Sequence, residues 1–240
     1  MSKLLIVEDS IIMRGIFKKL LDEHTDFQYD LVGKYEEAKV LLSKYRYEFA
    51  VVERLLSDAP NGEIIALLNK HNIAPLVFTK EINEDFFESF EGAKIVDYIL
   101  KQKYNNITSV IEKLLQLKNN KTLTVIVVSK SNIYSAYLKQ NLNLHNFKVI
   151  YVNSKEDAEE KINLHPETSL LIVDAKGLDA LSLIQDVRVM RDSSKLKILA
   201  LVEESNLFTT SSLLNAGAND SLIKQFSRDE FNVRVYQNIY

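Results

Sequence analysis

Short apolar runs alternate along the chain with stretches whose apolar residues recur at helical spacing. "KLLIV" (3–7) leads into a segment with Ile12, Ile16, Leu20 and Leu21 on one helical face. "FAVV" (49–52), "PLVF" (75–78) and "DYIL" (97–100) follow, each separated from the last by helical material. Runs this apolar predict strands buried on both faces, and their alternation with helices predicts a parallel sheet covered on both sides. After "IEKLLQLKNNKTLT" the pattern starts again, with "LTVIVV" (123–128), "KVIYV" (148–152), "LLIV" (170–173), "KILALV" (197–202) and "DSLI" (220–223). One stretch stands out. "EFAVVERLL" (48–56) places Glu53 directly behind four apolar residues, at a strand end where a carboxylate needs a partner.

Register tests the repeat. Glu8 and Asp9 fall on Ser129 and Lys130 at an offset of 121, and Glu53 falls on Asp174 at the same offset. Thr79, Tyr98 and Lys101 fall on Val202, Ser221 and Lys224 at an offset of 123. The landmarks hold to within two residues, which predicts two copies of one domain, 1–118 and 123–240, joined through the polar stretch "KNNKT" (118–122).

Composition narrows the function classes. The 240 residues are 46% hydrophobic and 26% charged, as in an ordinary globular chain, and the net charge is −3 with both signs interspersed. No basic face advertises nucleic acid, and no basic amphipathic stretch advertises a membrane surface. No apolar run approaches the roughly 20 residues of a membrane span. The N-terminus enters a strand without a signal-peptide layout, and the absence of cysteine removes disulfides, thiol catalysis and cysteine-ligated metal. A cytoplasmic location is the expectation. His24, His71, His145 and His165 have no second ligand at metal spacing and read as surface histidines.

The strand ends carry a further signal. A first strand ending "VEDS", a third ending "VVE" or "IVD", a fourth ending at Thr79, a fifth reading "DYILK", and "AGANDSLIKQF" (216–226) together resemble the receiver domain of bacterial two-component response regulators. The two copies cover essentially the whole chain. The resemblance implies an α/β fold of two tandem flavodoxin-like (CheY-like) domains, each a five-stranded parallel sheet with helices on both faces. It also implies an acidic pair holding Mg²⁺ after the first strand and an aspartate taking a phosphoryl group after the third. A hydroxyl and a lysine would contact the phosphoryl oxygens, and an aromatic switch would sit on the fifth strand.

Neither copy is complete by that pattern. The first carries Glu8 and Asp9 for a weak Mg²⁺ site, Thr79, Tyr98 and Lys101, but has Glu53 at the phosphoacceptor position, where it also counts as a metal ligand. Its extra methylene moves the carboxylate by roughly 1.5 Å, enough to disfavour phosphorylation. Glu53 then reads either as a partial mimic of a phosphoaspartate or as a relic paired with Lys101. Glu8 and Asp9 also fit a helix cap. The second copy keeps Asp174, the phosphoacceptor candidate, and Lys224. It replaces the acidic pair by Ser129-Lys130, with Lys130 expected to pair with Asp174, and the hydroxyl and aromatic by Val202 and Ser221. Phe86 and Phe87 read as core, and Gln102 and Gln225 replace a proline that normally follows the lysine.

The expected role is a signal-transduction module with no catalytic residues of its own. Its expected partners are a histidine kinase or phosphotransfer protein, a second copy of the chain, and a C-terminal effector domain. The ending at Tyr240 without an effector suggests a longer protein, and two receivers in series resemble response-regulator diguanylate cyclases, which make cyclic di-GMP. The alternative is a stand-alone pseudo-receiver scaffold binding a kinase or another receiver.

Overall fold

The computed structural model describes residues 3–81, 92–101, 105–203 and 207–240; Phe86, Phe87 and Gln102 lie outside them. The chain forms two compact units, Met1–Lys118 and Asn119–Tyr240. In the first, strands β1 (Lys3–Val7), β2 (Gln28–Val32), β3 (Phe49–Val52), β4 (Leu76–Thr79) and β5 (Asp97–Leu100) are interleaved with helices. These are α1 (Ile11–His24), α2 (Tyr35–Lys44), α3 (Glu63–Lys70) and α4 (Asn105–Asn120), the last of which carries the chain across the unit boundary. In the second, β6 (Thr124–Val128), β7 (Lys148–Val152), β8 (Thr168–Asp174), β9 (Lys197–Val202) and β10 (Asp220–Ile223) alternate with α5 (Asn132–Leu144), α6 (Lys155–Leu164), α7 (Ala180–Met190), α8 (Leu207–Asn215) and α9 (Arg228–Ile239).

Both sheets are parallel and share one topology. The first runs β2-β1-β3-β4-β5 and the second, read from the same edge, β7-β6-β8-β9-β10. Alternation along β1 explains its unbroken apolar run: Leu5 and Val7 join the core on one face of the sheet, Leu4 and Ile6 the core on the other. The second sheet divides in the same way, with Ile126 and Val128 on one side and Val125 and Val127 on the other. Helix starts follow local chemistry. Ser10 and Ser131 cap α1 and α5 by accepting from Met13 N and Tyr134 N, so both copies begin their first helix with the same device.

Two elements differ from the sequence reading. β2 is an edge strand whose residues are half-buried or exposed, and Asp30 interrupts its apolar pattern, so "QYDLV" carries no buried-strand signal. His145 is buried rather than superficial: it ends α5, stacks edge-on against Tyr236 at 5.5 Å, and meets the Tyr236 hydroxyl through Nδ1 at 3.0 Å.

Each unit has its own core, so damage should stay local. Phe17 is fully buried and meets the Phe78 ring edge-on at 5.7 Å. Phe17→Ala is expected to lower the stability of residues 1–118 by about 3–5 kcal/mol while residues 119–240 keep their transition. Calorimetry on the variant should show one endotherm shifted down and one unmoved.

Candidate functional site

In a parallel sheet the carboxyl ends of the strands face one edge, and side chains just past those ends converge. Three residues continue the ladder one step beyond their strands. Glu8 N donates to Val32 O at 3.0 Å, Glu53 N to Val7 O at 2.8 Å, and Lys101 N to Thr79 O at 2.8 Å. This fixes the backbone of all three, and their side chains meet. Lys101 Nζ lies 2.6 Å from Glu8 Oε2 and bonds Glu53 Oε2 as well. The three side chains are 2–4% exposed.

The remaining carboxylate oxygens are also engaged. Ser10 N donates to Glu8 Oε1 at 3.1 Å, and Leu55 N donates to Glu53 Oε1 at 3.2 Å. The group carries two formal negative charges and one positive. Burial raises the Glu8 pKa above its ordinary value, against the lowering pull of Lys101. Phe78 forms the apolar floor, its ring centroid 5.1 Å from Lys101 Nζ.

This arrangement bears on the expected metal site. Asp9 is exposed, and the ammonium of Lys101 already stands between Glu8 and Glu53. Among the described residues no three acidic or histidine side chains are grouped to hold a metal ion, and a cation between Glu8 and Glu53 would have to displace the Lys101 ammonium. Thr79 is fully buried, and its hydroxyl has no hydrogen-bond partner among the described residues. Glu53 therefore engages Lys101 and leaves Thr79 unengaged. Tyr98 is half-buried against the core on the α2 and α3 side of the sheet.

The second domain builds a smaller version of the same network. Asp174, fully buried, receives Ser129 Oγ at 2.7 Å on Oδ2, and Lys224 Nζ at 2.6 Å and Lys176 N at 3.0 Å on Oδ1. The partner of Asp174 is thus Lys224; the expected pairing with Lys130 does not form. Lys130 points outward, its Cδ near Gly177, because it sits one residue beyond the inward-facing Ser129. The Tyr134 ring covers Lys224 at 4.7 Å, and burial, helped by the charge of Asp174, raises the Tyr134 pKa. One buried acid meets one lysine here, and a second carboxylate, the exposed Glu203, approaches Lys224 to 3.9 Å while pairing with Lys176 at 2.8 Å. Gln225 takes a left-handed backbone, φ 79°, behind Lys224, and no cis peptide occurs among the described residues. Ser129 and Tyr134 are the participants that the sequence reading passed over: the serine registers only as a lost acid, and the tyrosine carries no signal before the helix is seen to lie over Lys224.

No protein-family model and no curated protein matches the sequence. The fold has close structural counterparts over its whole length. Two solved structures, both of proteins assigned as two-component system response regulator/GGDEF domain proteins, match with TM-scores of 0.85 and 0.84. Identities are 26% and 25%, and each match covers 99% of this chain and 98% of the other. The chain is a tandem of response-regulator receiver-like domains.

Charge counting in the first domain gives an asymmetric expectation. Lys101→Met would leave two buried carboxylates without a cation, a loss of about 3–5 kcal/mol. Glu53→Gln would leave one acid and one lysine, as in the second domain, and is expected to be neutral or stabilising. The pH dependence follows from the raised Glu8 pKa. A carboxyl whose pKa is higher folded than unfolded favours the fold most when protonated, and that stability is lost as pH rises through the raised value. The Lys101→Met deficit should therefore shrink in mild acid, which denaturant melts at neutral and acidic pH will read directly.

Proposed function

We propose that the chain is the regulatory segment of a two-component response regulator, two receiver-like domains that set the dimerisation or activity of an effector domain. The observation that carries this reading is the whole-length match, in the same tandem order, to two proteins that combine a response regulator with a GGDEF domain. By that analogy the effector is a diguanylate cyclase and the product it controls is cyclic di-GMP. The partners are a histidine kinase or phosphotransfer protein and a second copy of the chain. Among the described residues no helix is long and apolar enough to cross a membrane.

The acid sites support regulation by protein contact more than by phosphoryl transfer. At Glu53 both carboxylate oxygens are bonded, one to Lys101 and one to Leu55 N. At Asp174 both oxygens are bonded too, and the Tyr134 ring covers Lys224 beside them. A nucleophilic oxygen would first have to leave its partners. The same closure favours the alternative of a pseudo-receiver scaffold with no output domain of its own.

Acetyl phosphate is therefore expected to leave the intact mass of the protein unchanged, and stoichiometric gain of a phosphoryl group would contradict this reading of the sites. Regulation itself is tested by joining residues 1–240 to a diguanylate cyclase catalytic domain and measuring cyclic di-GMP output with and without Glu53→Gln. A charge in contact with Lys101 is able to bias two conformations by about 1 kcal/mol, roughly fivefold in population. Output should change severalfold. Identical output from both fusions would favour the scaffold.

A further inference from the structure

The amino edge of the first sheet, opposite the acids, holds a cleft of about 370 Å³. It lies between the end of α2 with its loop into β3 and the end of α3 with its loop into β4. That volume falls in the roughly 300–1,000 Å³ range of small-molecule sites. Leu42, Tyr47 and Ile73 are buried and form its apolar floor, while Lys44, Tyr45, Arg46 and His71 stand exposed around it. The Tyr47 hydroxyl is taken up by Asp30, so this tyrosine contributes its ring. The Lys3 ammonium sits 3.8 Å from the Tyr45 centroid and fixes that ring as a wall. Among the described residues no acidic side chain lines the cleft.

The cations here exceed what the fold needs. Helices α2 and α3 both finish at this corner, and each brings roughly half a negative charge. Lys44 and Lys70, in the last turns of the two helices, more than balance that. Arg46 stands in the loop beyond α2 and serves neither helix end. Among the described residues the side chains of Lys44, Arg46, Lys70 and His71 make no ion pair and no hydrogen bond.

The second domain closes the same corner from within. Arg191 caps α7 as His71 caps α3, and its Nη1 donates to Pro166 O at 2.6 Å and its Nη2 to Ile162 O at 2.8 Å, stapling the end of α7 to that of α6. In the loop after α6, Glu167 receives the Thr124 hydroxyl at 3.4 Å and meets His165 Nδ1 at 3.1 Å. Asp192, next to Arg191, accepts from Ser194 N at 2.8 Å. These charges are of both signs and are engaged by their own chain. Those of the first domain are of one sign and are left over.

We propose that the first-domain cleft binds a phosphate monoester carried on a flat ring system, of the size of a nucleoside monophosphate. The Arg46 guanidinium presents two parallel donors to two phosphate oxygens, and Lys44 and His71 supply donors to the rest. A phosphate ester brings a charge of about −1.5 to −2 against this excess, where a carboxylate brings one. The ring body covers Tyr45 and the floor of Leu42 and Ile73, surface that a bare phosphate ion leaves wet. The inference stands on the internal comparison of the two domains and is independent of the signalling role.

Amide shifts of the full chain on titration with AMP test it. Saturable shifts at Lys44, Arg46, His71 and Ile73, with none at His165, Glu167 and Arg191, are expected. Adenosine, which lacks the phosphate, and inorganic phosphate, which lacks the ring, should each bind at least tenfold more weakly. Arg46 is exposed and unpaired, so Arg46→Glu has little bearing on folding; it should abolish the shifts, and Arg46→Lys, which keeps the charge without the fork, should weaken AMP severalfold. Absence of saturable shifts with AMP, equal binding of adenosine or of inorganic phosphate, or undiminished binding to Arg46→Glu would each overturn the proposal.

Discussion

A charge removed from water must meet an opposite charge or be neutralised, and in the first domain a single ammonium answers for two carboxylates. Lys101 reaches Glu8 and Glu53 from the end of the fifth strand of its sheet, and all three side chains are almost wholly shielded from solvent. That contact ties together the ends of β1, β3 and β5. It also shapes the rest of the edge: a divalent ion would have to displace the ammonium to lie between the acids, and Thr79 is left with a buried hydroxyl and no partner among the described residues. The second domain solves the same problem by having fewer charges. Ser129 supplies a neutral hydrogen bond where the first domain has an acid, and Lys224 meets a single buried acid, Asp174, with the exposed Glu203 3.9 Å away.

The frame of this edge was legible in the sequence because burial on both faces leaves a plain record. β1, β3, β5, β7, β9 and β10 coincide with the apolar runs, and the lysines 101 and 224 follow the last strand of each sheet at matching register. β2 escaped because an edge strand owes half its surface to solvent, and Asp30 there is bonded by Lys3 and Tyr47 rather than standing at a loop. Pairing was less legible than position. Lys130 and Lys224 are both near Asp174 by register, and only the alternation of side chains beyond β6 decides that Ser129 turns in and Lys130 turns out. His145 was misjudged for a similar reason: its partner, Tyr236, lies ninety-one residues further on, where no local pattern points back to it.

Arginines recur in this fold as substitutes for missing backbone partners. Arg14 serves two carbonyls, those of Glu8 and Asp9, at the strand ends of the first domain. Arg188, in the second, donates to Gly217 O at 2.7 Å, Leu196 O at 2.9 Å and the Asn219 side chain at 2.7 Å, joining the end of α7 to the approaches of β9 and β10. Burial lowers its pKa. Gly217 accommodates it in the way Gly33 accommodates Arg14: an added Cβ would come within 2.6 Å of the Arg188 Cγ. Each glycine lies against an arginine elsewhere in its own domain; at Gly217, where the contact is the arginine stem and φ is +116°, a substitution would be strained, whereas at Gly33 the flexible guanidinium end would have to shift.

The hydrogen bond from Ser129 to Asp174 has a bearing on how the two copies can drift. Relative to the receiver pattern the first domain departs at one acid-site position, Glu53, and a one-methylene change would return it. In the second, Ser129, Lys130 and Val202 all depart, and Ser129 has since become a working part of the new network. Restoring an acid at that position alone would set two carboxylates against one lysine, in a space where one of them is now matched by a hydroxyl. Return to the pattern in the second copy therefore needs several changes made together, whereas in the first it needs one.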